Sequence, residues 1–213
     1  MALRFLSACF CFLFVLFAPC EAGVFGESPE RRYMESHRDA DETALRIATM
    51  ERYFGTLKKS LSAERIQSYA TYVENESASF GVDPFLVAAV MINTSDLEWT
   101  SRENKRYGLM RIDWDKHRKW IYRDYPNVRS LRILFKPVIN IRIGARILKD
   151  DLVKNANDID LALERNYAWD TLSAPQEIHT HYRNMVVLFR ELREKRGVMH
   201  LPGVSAPVPD GGK

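Results

Sequence analysis

The chain has 213 residues, 46% of them hydrophobic and 28% charged, with 31 Lys and Arg against 28 Asp and Glu for a formal net charge of +3. So small an excess does not mark a polyanion-binding protein, and the length is ample for one core of ordinary size. Its three cysteines, Cys9, Cys11 and Cys20, all precede Glu21. They fall in a segment expected to be removed, which excludes disulfides, thiol nucleophiles and cysteine metal sites from the mature chain.

Met1 to Arg4 carries one positive charge, and Phe5 to Ala18 follows with none. That run fits the core of a secretory signal, about 7–15 apolar residues, and falls short of the about 20 that span a bilayer. Cys20-Glu21-Ala22 supplies a small-x-small cleavage site. Residues 1–22 therefore read as a signal peptide, with a mature chain starting at Gly23, exported to the periplasm or the exterior and without stable membrane insertion. The alternative is a lipoprotein anchored through Cys20, but Phe17 and Pro19 stand where such a signal prefers Leu and a small residue.

Residues 23–61 read as an N-terminal linker and a helix. Glu27 to Asp41 is polar, with almost no periodic apolar residues. Ile47, Met50, Phe54, Leu57 and Leu61 then step by three and four along one amphipathic face, with Gly55 expected to weaken or end the helix. Ser62, with Glu64 behind it, is the expected N-cap of a helix that turns Ile66, Ala70 and Val73 inward and ends near Gly81. Asp83-Pro84 sets a capping carboxylate before a proline at the first helical position, and Phe85 to Ile92 is unbroken apolar sequence. A helix apolar on every side is buried on every side, so this is the expected central helix.

A stretch follows in which Arg102, Lys105, Arg106, Arg111, Lys116, Arg118, Lys119 and Arg123 interleave with Tyr107, Trp114, Trp120, Tyr122 and Tyr125. Such interleaving is one signature of nucleic-acid binding. Export argues against a nucleic-acid partner, and a solvated helix face with Trp and Tyr turned to the core is the expected reading. Behind Pro137, Val138, Ile141, Ala145, Leu148 and Leu152 again step by three and four. Asp158 caps a short helix through Leu161 and Leu163, and the last helix opens on a Ser173-x-x-Gln176 capping box. It runs through Ile178, Tyr182, Met185, Phe189 and Leu192 and is expected to stop at Gly197. Residues 198–213, rich in Pro and Gly, are expected to be a disordered tail, and no convincing strand pattern occurs. The fold class is mainly α, with one domain over 62–197. His117, His179 and His181 lack metal-ligand spacing, and neither a metal nor a cofactor is expected.

Four segments in order carry a family resemblance. They are Phe80-Gly81-Val82-Asp83-Pro84 running on to Val90, then Gly108-Leu109-Met110, then Asn140-Ile141 with Gly144-Ala145 and Leu148, and more weakly Ala162 to Trp169 with Tyr182 beyond. Together they resemble the lysozyme-like domain of bacterial lytic transglycosylases. The resemblance implies a lysozyme-like helical fold and peptidoglycan glycan strands as the partner. The implied reaction cleaves the bond between N-acetylmuramic acid and N-acetylglucosamine and leaves a 1,6-anhydro sugar. One glutamic acid at the end of the central helix does both proton transfers in that family.

Here the same register holds Thr94-Ser95-Asp96-Leu97-Glu98-Trp99, so the serine is kept and the acid is not. The family's Gln becomes Arg111, and its Tyr-Asn pair is reversed as Asn166-Tyr167 with Trp169 in place of glycine. Thr94 occupies the catalytic position; Ser95, Met110, Arg111, Asn140, Asn166, Tyr167 and Tyr182 fall on the substrate-binding positions, while Met110 reads first as core or groove lining, Asn140 as a buried structural amide bonding a loop carbonyl, and Tyr167 and Tyr182 equally as packing residues. A threonine hydroxyl does not ionise near neutral pH, whereas the reaction needs a carboxyl of raised pKa. The expectation is an exported, catalytically impaired protein that binds peptidoglycan or an envelope protein. One alternative is a divergent active enzyme whose acid is Glu98, which would sit on the same face about 6 Å further along if the helix continued. Another is an envelope scaffold whose groove has become a protein interface.

Overall fold

The computed structural model describes residues 40–166 and 174–199. The expected signal segment, the cysteines, Tyr167, Trp169, Ser173 and residues 200–213 lie outside the described residues. The protein is mainly helical, in chain order α1 (Ala40–Leu57), α2 (Ala63–Phe80), α3 (Pro84–Ser95), strands β1 (Arg102–Glu103), β2 (Arg106–Tyr107) and β3 (Ile112–Asp113), α4 (Trp114–Asp124), a 3-10 turn (Leu131–Phe135), α5 (Pro137–Lys154), α6 (Ile159–Asn166) and α7 (Ala174–Met199).

Helix α3 forms the axis of the core. Every residue from Pro84 to Ile92 is buried, and α1, α2, α5 and α7 all pack against it. Its start is fixed by sequence: Asp83 Oδ1 accepts from the Phe85 N–H at 2.8 Å, and Pro84 needs no partner at the first position. Helix α2 is capped by Ser62 and closed by Gly81 at φ 64°, a left-handed conformation that a side chain would strain. The N–H of Val82 then returns to Ser77 O at 3.0 Å, and the short connection turns α3 back into the core.

Three expectations change. Gly55 sits inside α1, which continues to Leu57, and Gly197 sits inside α7, which runs on to Met199. One helical glycine costs only about 1 kcal/mol, less than the packing of a long amphipathic face returns. The third change is a small antiparallel sheet in the order β1-β2-β3. Asn104 and Lys105 both have positive φ, 46° and 62°, and form the two-residue turn between β1 and β2. Strands of two residues are too short for alternation to show in sequence.

Beneath the helices lies a polar cluster that the periodicity gave no sign of. Arg46 of α1 and Glu74 of α2 are both buried and pair at 2.8 Å. Beside them, Tyr182 of α7 donates to Asp83 Oδ2 at 3.0 Å, tying the last helix to the cap of α3. Burial pushes the Asp83 carboxyl above its ordinary 3.8, against the lowering effects of the Phe85 N–H, Tyr182 and, more remotely, Arg46. A carboxyl raised in the folded state binds more protons folded than unfolded. Its contribution is thus greatest below the unfolded pKa and is lost as pH rises through the folded one. Asparagine caps a helix as well as aspartate. Asp83→Asn should therefore leave the neutral-pH stability within about 1 kcal/mol and flatten the fall in melting temperature as pH rises above 3.8; thermal melts over that range check this.

Candidate functional site at the end of the central helix

The last turn of α3 holds Thr94, whose hydroxyl and carbonyl are both engaged. Thr94 Oγ1 donates to Leu109 O at 2.9 Å, and the Thr94 carbonyl accepts from Arg111 Nε at 2.8 Å. Arg111 also pairs through Nη2 with Glu103 Oε2 at 2.7 Å. From the other side, Lys58 Nζ donates to both Asp96 O and Asp96 Oδ2 at 2.7 Å. Two cations thus answer the terminal carbonyls, where the helix carries roughly half a negative charge. Asn93 reaches the start of α7, donating to Glu177 Oε2 at 2.7 Å.

Glu98 does not continue the helix face. Asp96 and Leu97 take left-handed φ of 51° and 60°, and Leu97 is fully buried, so the chain turns at Ser95 and leaves the α3 axis. The Glu98 carboxylate accepts from Thr100 Oγ1 at 2.7 Å and from the Thr100 N–H at 3.3 Å. Those bonds hold its pKa below the ordinary glutamate value, whereas a proton donor needs it raised. The geometry behind the Glu98 alternative, a helix continuing one more turn, is therefore absent.

Ser95 is buried, its hydroxyl donating back to Met91 O at 2.9 Å. Met110 and Asn140 lie in the core. Asn140 Oδ1 accepts from the Met110 N–H at 2.7 Å, while Nδ2 donates to Leu134 O at 2.8 Å and Tyr107 O at 2.9 Å. The amide is saturated by three backbone groups and has no surface to offer a ligand. Its neighbours follow from the same lock. Gly108, at φ 77°, lies against the Asn140 side chain, and a Cβ on Gly144 would stand 2.5 Å from Met110 Cβ. The Gly-Leu-Met and Asn-Ile-x-x-Gly segments are thus a packing unit that holds the sheet on α5.

Tyr182 belongs to the opposite end of α3. Its partner Asp83 caps the start of a 12-residue helix and Thr94 stands in the last turn, about 16 Å away at 1.5 Å per residue. Asn166 ends the backbone of α6, and Tyr167 lies outside the described residues. Of the positions singled out in the sequence, the structure brings together Thr94, Ser95 and Arg111. It adds Lys58, Glu103 and Glu177, which arrive from distant elements and carried no local signal.

No protein-family model, no curated protein and no solved structure matches the chain. Its chemistry therefore has to be argued from the residues in place. Among the described residues, surface pockets of about 540 and 610 Å³ open between α2 and the start of α5 and between α4 and α5; Thr94 is not in the lining of these. In the second, Trp120 Nε1 donates to His117 Nδ1 at 3.0 Å, and Arg146 lies over the Trp120 ring at 4.5 Å while bonding Asp124 at 2.7 Å. Burial pushes His117 down to about 4, so it is a neutral acceptor at physiological pH. The α4 cations Lys116, Arg118, Lys119 and Arg123 are exposed, while Trp114 is buried and Tyr122 faces out at 44% exposure. No group of residues that could hold a metal occurs among the described residues.

Proposed function

We propose that the chain is an exported, lysozyme-like domain of the lytic transglycosylase type that has lost catalysis and serves in the cell envelope as a peptidoglycan-binding module. The observation that carries the reading is the state of the α3 terminus. The hydroxyl of Thr94 is spent on Leu109 O, and its carbonyl is held by Arg111. The carboxylates within reach are engaged as well: Glu103 pairs with Arg111, Glu177 accepts from Asn93, and Glu98 is kept ionised by Thr100. Cleavage of a glycoside needs an acid that is still protonated near neutral pH; among the described residues at this helix end, Thr94 carries no carboxyl and the bonds from Thr100 hold Glu98 away from that state.

The resemblance of the buried α3 segment and of the Asn140 lock to the family's helix entry and Gly-Leu-Met core supports the lysozyme-like assignment, since those are packing positions. The substitutions fall instead where the chemistry would be. Purified mature protein incubated with isolated sacculi should sediment with them, and release on adding soluble glycan fragments would show that glycan is what it holds. Protein left wholly in the supernatant would remove the binding function.

A further inference from the structure

The net charge of +3 is unevenly placed along the chain. Between Arg102 and Lys136 stand 11 Lys and Arg and 4 Asp and Glu, an excess of +7, so the remaining residues together carry −4. Nine of those 11 cations are exposed. The four acids are each engaged within the same stretch or from α5: Glu103 pairs with Arg111, Asp113 caps α4, Asp115 pairs with Lys105, and Asp124 pairs with Arg123 and with Arg146. Charge segregated in this way gives one part of the surface a field that attracts anions.

Helix α4 concentrates the excess on one face. Its Trp114 and Ile121 are buried, which turns Lys116, Lys119 and Arg123, spaced i, i+3 and i+7, along the solvent side, with Arg118 and Tyr122 beside them. Arg118 and Lys119 have no ion-pair partner among the described residues. Tyr122 is 44% exposed and meets buried Trp114 edge-on at 5.4 Å, so a fixed phenol stands one turn from both of those cations. The pocket of about 610 Å³ beside this face adds Arg146 and Lys154 but also Asp150 and Asp151, which leaves the excess on the outer face of α4.

We propose that the outer face of α4 docks the protein on a phospholipid surface rich in anionic headgroups. Headgroup phosphates move laterally, so they meet long Lys and Arg side chains without a fixed register, and each cation near such a surface adds to the attraction. Tyr122 brings an apolar ring and a polar tip, the combination that suits the boundary between headgroups and acyl chains. A folded acidic partner needs a desolvated, apolar centre poor in lysine, which this face lacks. Single-stranded nucleic acid needs open aromatic faces, but Trp114 is buried and Trp120 has Arg146 over its ring at 4.5 Å and Tyr125 beside it. The docking is independent of the Thr94 region and stands whether or not the protein sediments with sacculi.

Cosedimentation of the mature protein with sucrose-loaded vesicles tests this. Vesicles of phosphatidylcholine and phosphatidylglycerol in equal parts should bind it at low salt at least about tenfold more tightly than phosphatidylcholine alone, and molar salt should release it. Arg118→Gln with Lys119→Gln should weaken that binding about 10- to 30-fold and leave the melting temperature unchanged, since both positions are exposed and unpaired. Removing the same charge from exposed positions of α7, by Arg190→Gln with Lys195→Gln, should change it less than about threefold. Equal binding to neutral vesicles, equal loss in the two double variants, or full affinity in the α4 variant would overturn the proposal. So would no binding to anionic vesicles at low salt, or duplex DNA at the same phosphate concentration held as tightly as those vesicles.

Discussion

Asn140→Ala should destabilise the domain by about 3–6 kcal/mol, most of the margin of an ordinary domain. The substitution removes the side-chain atoms that hydrogen-bond the Met110 N–H, the Tyr107 carbonyl and the Leu134 carbonyl across the buried junction of the sheet, the 3-10 turn and α5. Each buried group left unbonded costs about 1–3 kcal/mol, and the space vacated adds a cavity term. Asn140→Asp should be as damaging, because a carboxylate keeps the acceptor for Met110 but turns two donations into contacts between oxygens. Chemical denaturation measures both. A loss under about 1 kcal/mol in either variant would mean that the amide is not the lock described here.

How far such a lock can be read from sequence differs from element to element. The helices were legible because their signals are local. Ser62, Gly81 and the Asp83-Pro84 pair state where α2 ends and α3 begins, and the unbroken Phe85 to Ile92 run states which helix is central. Those positions sit where expected. The short sheet was not legible, since its two-residue strands are too short for alternation and Asn104-Lys105 lacks the glycine that usually announces a two-residue turn. Gly55 and Gly197 were given more weight as helix breakers than long packed faces allow.

The site was legible in part. Thr94 and Arg111 were found from their positions, and they do meet. Glu98 was placed by assuming that α3 continued, but the burial of Leu97 draws the chain off the helix axis first. For Met110 and Asn140 the structural reading, core lining and a buried amide bonding a loop carbonyl, is the one the structure shows. A residue that fits a family's pattern can be there for packing, and the partners of its amide distinguish that from ligand contact. The Arg46–Glu74 pair had no signal at all, because the two residues are 28 apart and each sits on a helix rich in other charges.

Thr94→Glu should restore little activity by itself, whereas Thr94→Glu with Arg111→Gln should release anhydro-muropeptides measurably. In the single variant the new carboxyl stands next to a guanidinium that already bonds the residue-94 carbonyl at 2.8 Å. Pairing with it favours the ionised form and holds the pKa down by about 1–3 units, away from the range a general acid needs. Removing the guanidinium leaves the carboxyl beside the terminal carbonyls of α3, which raise the pKa, with Lys58 still on the Asp96 carbonyl at that end. General acid-base assistance is worth about 10²–10⁴ in rate, so the double variant should exceed the single by at least about tenfold. Chromatographic quantitation of products decides it, and equal rates for the two variants would show that Arg111 does not control the site.

The most direct measurement is the wild-type protein itself, incubated with purified peptidoglycan and assayed by mass spectrometry for anhydro-muropeptides. The arrangement at Thr94 predicts no release above a blank without protein, and the same for Glu98→Gln. Robust wild-type release that Glu98→Gln abolishes would contradict it, since the acid would then be working from beyond the end of the helix.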